Sequence, residues 1–172
     1  VTFDPRYDIP QAEQRQKLEV LDRVSQRQAV ASEAMDRMTK AKESIDAVLE
    51  LLDEDDSTNA ELKEAGDSLK TRIDEVREEF TGPQDLQGFV QTPNTVLSKL
   101  GDAIGGLASY WGAATPSQMT YLQHAETRLQ HAIDQVNQVL AEFAEFRNQA
   151  SDLNLTVIKE VESLTIDWRP ER

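Results

Sequence analysis

From Gln11 to about Asp53 the chain contains neither proline nor glycine, and its apolar residues recur at steps of three and four. Leu18, Leu21, Val24, Ala31, Met35, Met38, Ile45, Leu49 and Leu52 form the stripe, and Ala34, Ala41 and Val48 widen it. That spacing gathers them on one face of an α-helix. The pattern predicts a single rod of about 40 residues, roughly 60 Å long, where the usual helix has about 11 or 12 residues. A rod of that length needs partners along all of it.

The stretch DEDDSTNAE then crowds four acids against the negative end of the helix dipole, which disfavours them there. The first helix is expected to stop at this point. Thr58 followed by Glu61 reads as a capping box, so a second helix is expected near Asn59. Its seam is Leu62, Ala65, Leu69, Ile73, Val76 and Phe80, with charged residues on its other faces. A short turn between two amphipathic rods makes them antiparallel neighbours.

TGPQDLQGFVQTPN, residues 81 to 94, is the longest irregular stretch and reads as a surface connection. Thr92 and Pro93 suit the N-cap and first turn of a third, shorter helix, with Val96, Leu97, Leu100, Ile104, Leu107 and Trp111 facing inward. Gly112 stops it. Thr115 and Pro116 repeat the Thr-Pro start, and a fourth long helix follows, with Met119, Leu122, Leu129, Ile133, Val136, Leu140, Phe143 and Phe146 on its seam. The β-branched run Thr156 to Ile158 obscures where it ends, and pre-proline Arg169 predicts a non-helical tail. The expected fold is all-α: an up-and-down antiparallel bundle over residues 11–172, with three long helices, one shorter glycine-rich helix, and an extended arm over residues 1–10.

Composition narrows the range of functions. At 172 residues the chain suits one domain, which buries roughly 70% of its unfolded surface without staples. It has no cysteine, which excludes disulfides, thiol nucleophiles and cysteine-ligated zinc. A formal charge of −14 repels phosphate and argues against nucleic acid or an anionic membrane as partner. No apolar run reaches the roughly 18 residues of a membrane span, so no membrane insertion is expected.

Candidate chemistry is sparse. Asp53, Asp55, Ser57, Asn59, Glu61 and Glu64 fall at the ligand positions of a calcium-binding EF-hand loop, but Thr58 stands where that loop needs glycine and Ala60 where it needs a bulky apolar group. His124 and His131 lie seven apart, which places them two turns, roughly 10.5 Å, from each other, too far to share one metal ion. Gly101, Gly105 and Gly106 lack the Lys-Ser/Thr of a phosphate loop and read as a surface for close helix packing. Tyr110 and Trp111 are candidates for an aromatic contact site, although a seam aromatic is more often core. The carboxylates are abundant but fall on outward faces, where they stay solvated, and no G-x-S-x-G elbow occurs. Neither a cofactor nor a metal is expected, and no catalytic residue is assigned.

The opening VTFDPRYDIPQ resembles the junction in bacterial proteins that carry sortilin-like, bacterial-neuraminidase-repeat (BNR) β-propellers and are often labelled glycosyl hydrolases. In that family a small β-domain ends in a strand, and a Val-x-x-Asp-Pro-Arg signature leads into a helical region. Val1, Asp4, Pro5 and Arg6 match the signature, and Tyr7 and Gln11 fit the surrounding pattern. TRIDEVREEF, PNTVLSKLGDAIGGLASYWGAATPSQ and LAEFAEFRNQ are similar to later pieces of the family, so the likeness runs over most of the chain. The acidic stretch 53–59 and the tail after Asn154 depart from it. The resemblance implies a C-terminal helical domain of a larger exported protein, periplasmic or extracellular, whose hydrolase label belongs to the propellers. It also implies that Phe3, Asp4, Arg6 and Tyr7 contact the preceding β-domain. Two other readings stand beside it: an accessory domain of a true sialidase-like glycosidase, and an exported coiled-coil chaperone or sensor.

Overall fold

The structure, a computed structural model, describes residues 9–52, 57–83, 94–153, 155 and 161–170. Four helices form: α1 (Gln11–Leu49), α2 (Ser57–Thr81), α3 (Val96–Ala108) and α4 (Pro116–Asp152). All four pack on one another, and the described residues contain no strand, as the all-α bundle expectation required. The expected arm at residues 1–8 lies outside the described residues, and with it Phe3, Asp4, Arg6 and Tyr7. Pro10, at φ −55° and ψ 136°, leads extended chain into α1.

Polar pairs between the helices fix their directions. Thr39, Lys42 and Asp46 on α1 meet Arg77, Asp74 and Lys70 on α2, so one number rises as the other falls and the two run antiparallel. Arg23 and Arg27 reach Glu126 near the beginnings of α1 and α4, while Gly66 lies against Ile45, Leu49 and Phe146 near their ends; α1 and α4 therefore run parallel. Lys17 donates to the Tyr110 carbonyl just past α3, and Gln118 Nε2 donates to the Gly106 carbonyl at 2.7 Å, so α3 finishes where α1 and α4 start. Because α3 also touches α2, it continues in the direction of α2. The bundle thus has three legs, up, down and up, and its middle leg is broken into α2 and α3. The helix in that leg totals roughly 57 Å, the same as α1 at 39 residues and α4 at 37.

The core seam of α1 is Val20, Val24, Ala31, Ala34, Met38, Ala41, Ile45 and Val48. Steps of three and four carry that seam back to Lys17, which explains why Leu18, one residue off it, is 65% exposed instead of buried as the stripe suggested. Phe80, Ile73 and Leu69 of α2, Leu100 and Leu107 of α3, and Leu129, Ile133 and Phe143 of α4 close the core from the other legs. Each such side chain contributes roughly 1.5–3 kcal/mol by leaving water.

Boundaries follow local chemistry. α1 stops at Leu49, earlier than Asp53, and Leu51 and Leu52 close tight turns onto the Val48 and Leu49 carbonyls. Gly82, at φ 84°, ends α2 in the left-handed conformation that glycine adopts most readily, and its N–H reaches the Glu78 carbonyl at 2.7 Å. The expected cap at Thr92 and Pro93 lies outside the described residues; α3 is capped by Thr95, whose hydroxyl accepts from Ser98 N–H at 3.3 Å. Its seam steps through Val96, Leu100, Ala103 and Leu107, which leaves Leu97 41% exposed. Trp111 is 69% exposed because the helix has ended at Ala108 and helical periodicity no longer orients it. At α4 the Thr-Pro start holds as the sequence indicates, with Thr115 as N-cap and Pro116 in the first turn, and the Gln118 side chain adds the reciprocal bond of a capping box.

The glycines exchange roles. A Cβ on Gly101, Gly105 or Gly106 would meet nothing within 4 Å, so the expected close packing there is absent. Gly66 makes the close approach instead: a Cβ there would lie 3.0 Å from Leu49, 3.1 Å from Phe146 and 3.2 Å from Ile45.

Candidate functional site

Three places carry side chains that the core does not consume. The first is the end of the bundle where α1 begins. Tyr110 and Trp111, in the turn after α3, are exposed there, and so are Leu18 on α1 and Tyr121 on α4. Lys17 holds the Tyr110 carbonyl, and Glu13 accepts from the Ala113 N–H at 3.4 Å, so the first turns of α1 fix the aromatic turn in position. Gly112 lets the Tyr110 ring fold back over the turn, since a Cβ there would fall 2.8 Å from it and push the ring aside. The first turns of α1, entered from Ile9 and Pro10, therefore lie beside the aromatic turn.

The second is an open groove of about 770 Å³ along α4, whose lining includes Arg23, Gln123, Glu126, Gln130, His131 and Asp134. Glu126 is already engaged. Arg23 donates to it through Nε at 2.6 Å and through Nη2, and Arg27 Nε donates at 3.1 Å. Burial alone would push the Glu126 carboxyl up, but the two arginines' hydrogen bonds and charges outweigh that and hold its pKa below the ordinary carboxylate value. The same contacts raise Arg23, against its smaller desolvation. A carboxylate kept ionised in this way joins α1 to α4 and is poorly suited to deliver a proton.

The predicted metal candidates do not converge. His124 and His131 are both exposed on α4, and among the described residues no three His, Asp or Glu side chains are grouped to hold a metal ion. Asp53 and Asp55 lie outside the described residues. Glu61 and Glu64 are exposed on the opening turns of α2.

The third place was not anticipated. Residues 161–170 run without helix along the groove between α1 and α4, descending from the level of Arg37 to that of Gln26. Leu164 enters the core at 1% exposure, and Val161, Ile166 and Trp168 pack against its edge. The backbone of this strap is satisfied by side chains of the two helices. Asn137 Oδ1 accepts from Leu164 N–H and its Nδ2 donates to the Leu164 carbonyl, both at 2.8 Å. Arg37 donates to the Glu162 carbonyl and, at 2.7 Å, to the Ser163 carbonyl, while Arg27 donates to the Ile166 carbonyl and, at 3.0 Å, to Asp167. The side chains of Arg27 and Arg37 are only 12% and 11% exposed. A sequence signal did exist: Arg27 occupies the position between Val24 and Ala31 where the seam of α1 calls for an apolar residue.

No family model matches the chain, and neither a curated protein nor a solved structure is found to be similar to it.

Proposed function

We propose that this chain is a non-catalytic helical accessory domain that serves as an interaction module of a larger exported BNR-repeat, sortilin-like β-propeller protein. The observation that supports the reading best is where the exposed aromatics lie. Tyr110 and Trp111 are exposed at the end of the bundle where α1 begins, and α1 is the first helix after the Asp4-Pro5-Arg6 junction in the sequence, so a preceding domain would rest at this end. Aromatic side chains of this kind combine large contact area with low ordering cost and are enriched at protein contacts. The carboxylates described between helices are spent as structural bridges, Glu126 to Arg23 and Arg27, Glu79 to Arg128 and Glu142 to Arg72, in keeping with a scaffold role.

The test is the upstream reading frame together with the longer protein it encodes. Propeller repeats and an export signal upstream are expected, and replacing Tyr110 and Trp111 by alanine is expected to let the bundle tumble independently of the preceding domain. An upstream frame without propeller repeats would overturn the reading, as would glycan hydrolysis by the isolated chain that a single carboxylate substitution abolishes.

A further inference from the structure

We infer that the groove between α1 and α4 is a reader of non-helical peptides, and that residues 161–170 are its built-in, displaceable occupant. The inference does not rest on the propeller parentage. The groove addresses main-chain atoms: Arg37 takes two successive carbonyls, Asn137 takes both the N–H and the carbonyl of Leu164, and Arg27 takes the Ile166 carbonyl. Main-chain groups are common to every peptide, so these contacts demand a non-helical backbone whose polar groups are free, and almost nothing of its sequence. This is the division of labour in strand-adding recognition, in which backbone hydrogen bonds hold the peptide and pockets choose among side chains.

Selection comes from one pocket and one charge. Leu164 is the only residue of 161–170 that is fully buried, and Asp167 pairs with Arg27 at 3.0 Å. The partner that fits is therefore a non-helical segment carrying a leucine-sized side chain, with a turn after it that sets an acidic residue three positions later, as Trp168 N–H closes on the Thr165 carbonyl at 3.1 Å in the strap. The groove is formed by the two long parallel helices, whose shared core continues through Ile133, Val136 and Met38 beneath it, so α1 and α4 remain packed when the strap leaves. A strap with one fully buried side chain, the rest of its apolar contacts being partial, belongs to the less stable part of a structure, where local opening precedes global unfolding. Tethering gives it a high effective concentration, so a free peptide competes poorly until the strap is weakened.

The experiment uses the full chain and a fluorescein-labelled synthetic peptide of residues 161–170. Leu164→Ala weakens the tethered strap and leaves the groove intact; this variant is expected to bind the peptide at least tenfold more tightly than the wild type. Adding Asn137→Ala to that variant is expected to remove at least tenfold of the gain, and a peptide carrying alanine at the position of Leu164 is expected not to bind. Equal affinity of wild type and Leu164→Ala would overturn the proposal, as would no binding by a folded Leu164→Ala chain. Wild-type chains that pair by exchanging straps, with no uptake of free peptide, would equally overturn it by making the occupant a second copy. Hydrogen exchange on the wild type decides the matter if Leu164→Ala does not fold. The Leu164 amide is expected to exchange at least 100-fold faster than that of Val136, and exchange of both only through global unfolding would overturn the proposal.

Discussion

Asn137 and Leu164 are bonded twice: the side-chain amide of one gives and takes a hydrogen bond with the backbone of the other, each at 2.8 Å. Asn137→Ala therefore strands a donor and an acceptor beside the buried Leu164 side chain, and the expected loss is about 1–3 kcal/mol in urea unfolding. Asn148→Ala, at an exposed position on the same helix, is the control and is expected to change stability by less than about 0.5 kcal/mol. Equal effects at the two positions would remove Asn137 as the anchor of the strap.

Gly66 and the α3 glycines should respond in opposite directions to the same substitution. Alanine is favoured over glycine inside a helix by about 1 kcal/mol. At Gly101 and Gly105 that gain is unopposed, since an added methyl group meets open space, and a double alanine variant is expected to melt a few degrees higher. At Gly66 the methyl group meets Leu49, Phe146 and Ile45 at 3.0–3.2 Å, from two helices at once, so no single neighbour can give way without disturbing another. Gly66→Ala is expected to cost about 1–3 kcal/mol net, as overpacked cores do. Thermal melts of the two variants beside the wild type read this directly, and a stabilised Gly66→Ala would show that the contact between the ends of α1 and α4 yields easily.

The glycines also mark what sequence could and could not supply. Helix identities are legible because the apolar steps of three and four run for tens of residues, and the α4 start is legible because Thr115 and Pro116 make an N-cap and first turn whose chemistry is local. Which glycine faces a neighbour depends on helix rotation and on the partner helix, neither of which is a local property. The same holds for the strap. Leu164 looks like any isolated leucine until Asn137 and Arg37, far away along the chain, are placed beside it. The broken middle leg was hidden for a related reason: periodicity gives a helix's face but not its direction, and α3 was placed by Lys17 and Gln118. Among the candidate residues, Tyr110 and Trp111 are both exposed, and the core position that the seam gives Trp111 comes from a period that has already ended at Ala108.

Helix α3 offers a direct check on that rotation. Leu97 and Leu107 belong to the same predicted inward face, yet Leu107 is buried and Leu97 is 41% exposed. Leu107→Ala is expected to cost about 2–5 kcal/mol, the usual range for a buried leucine, whereas Leu97→Ala is expected to cost less than about 1 kcal/mol. Comparable losses at both positions would mean that α3 is rotated from the orientation described.

Acid should unfasten α1 from α4 through Glu126. Its pKa is depressed in the folded chain, because hydrogen bonds from Arg23 and Arg27 overcome the opposing effect of burial, so the unfolded chain binds the proton more readily. The stabilisation from this carboxylate is therefore complete above its ordinary pKa near 4.5 and is lost as the pH falls from there through the depressed folded value. Glu126→Gln keeps an acceptor but removes the charge that Arg23 and Arg27 share. Half of the Arg23 side chain is open to solvent, which screens the pair, so the expected difference from wild type at pH 7 is about 1 kcal/mol, or about 2–4 °C in melting temperature for a chain of this size. That difference should stay constant from neutral pH down to about 5 and then close at lower pH, as protonated Glu126 comes to resemble the amide. Melting curves of both chains across pH 7 to 3 measure it, and a gap that persists at the acid end would assign the effect of the substitution to packing and not to charge.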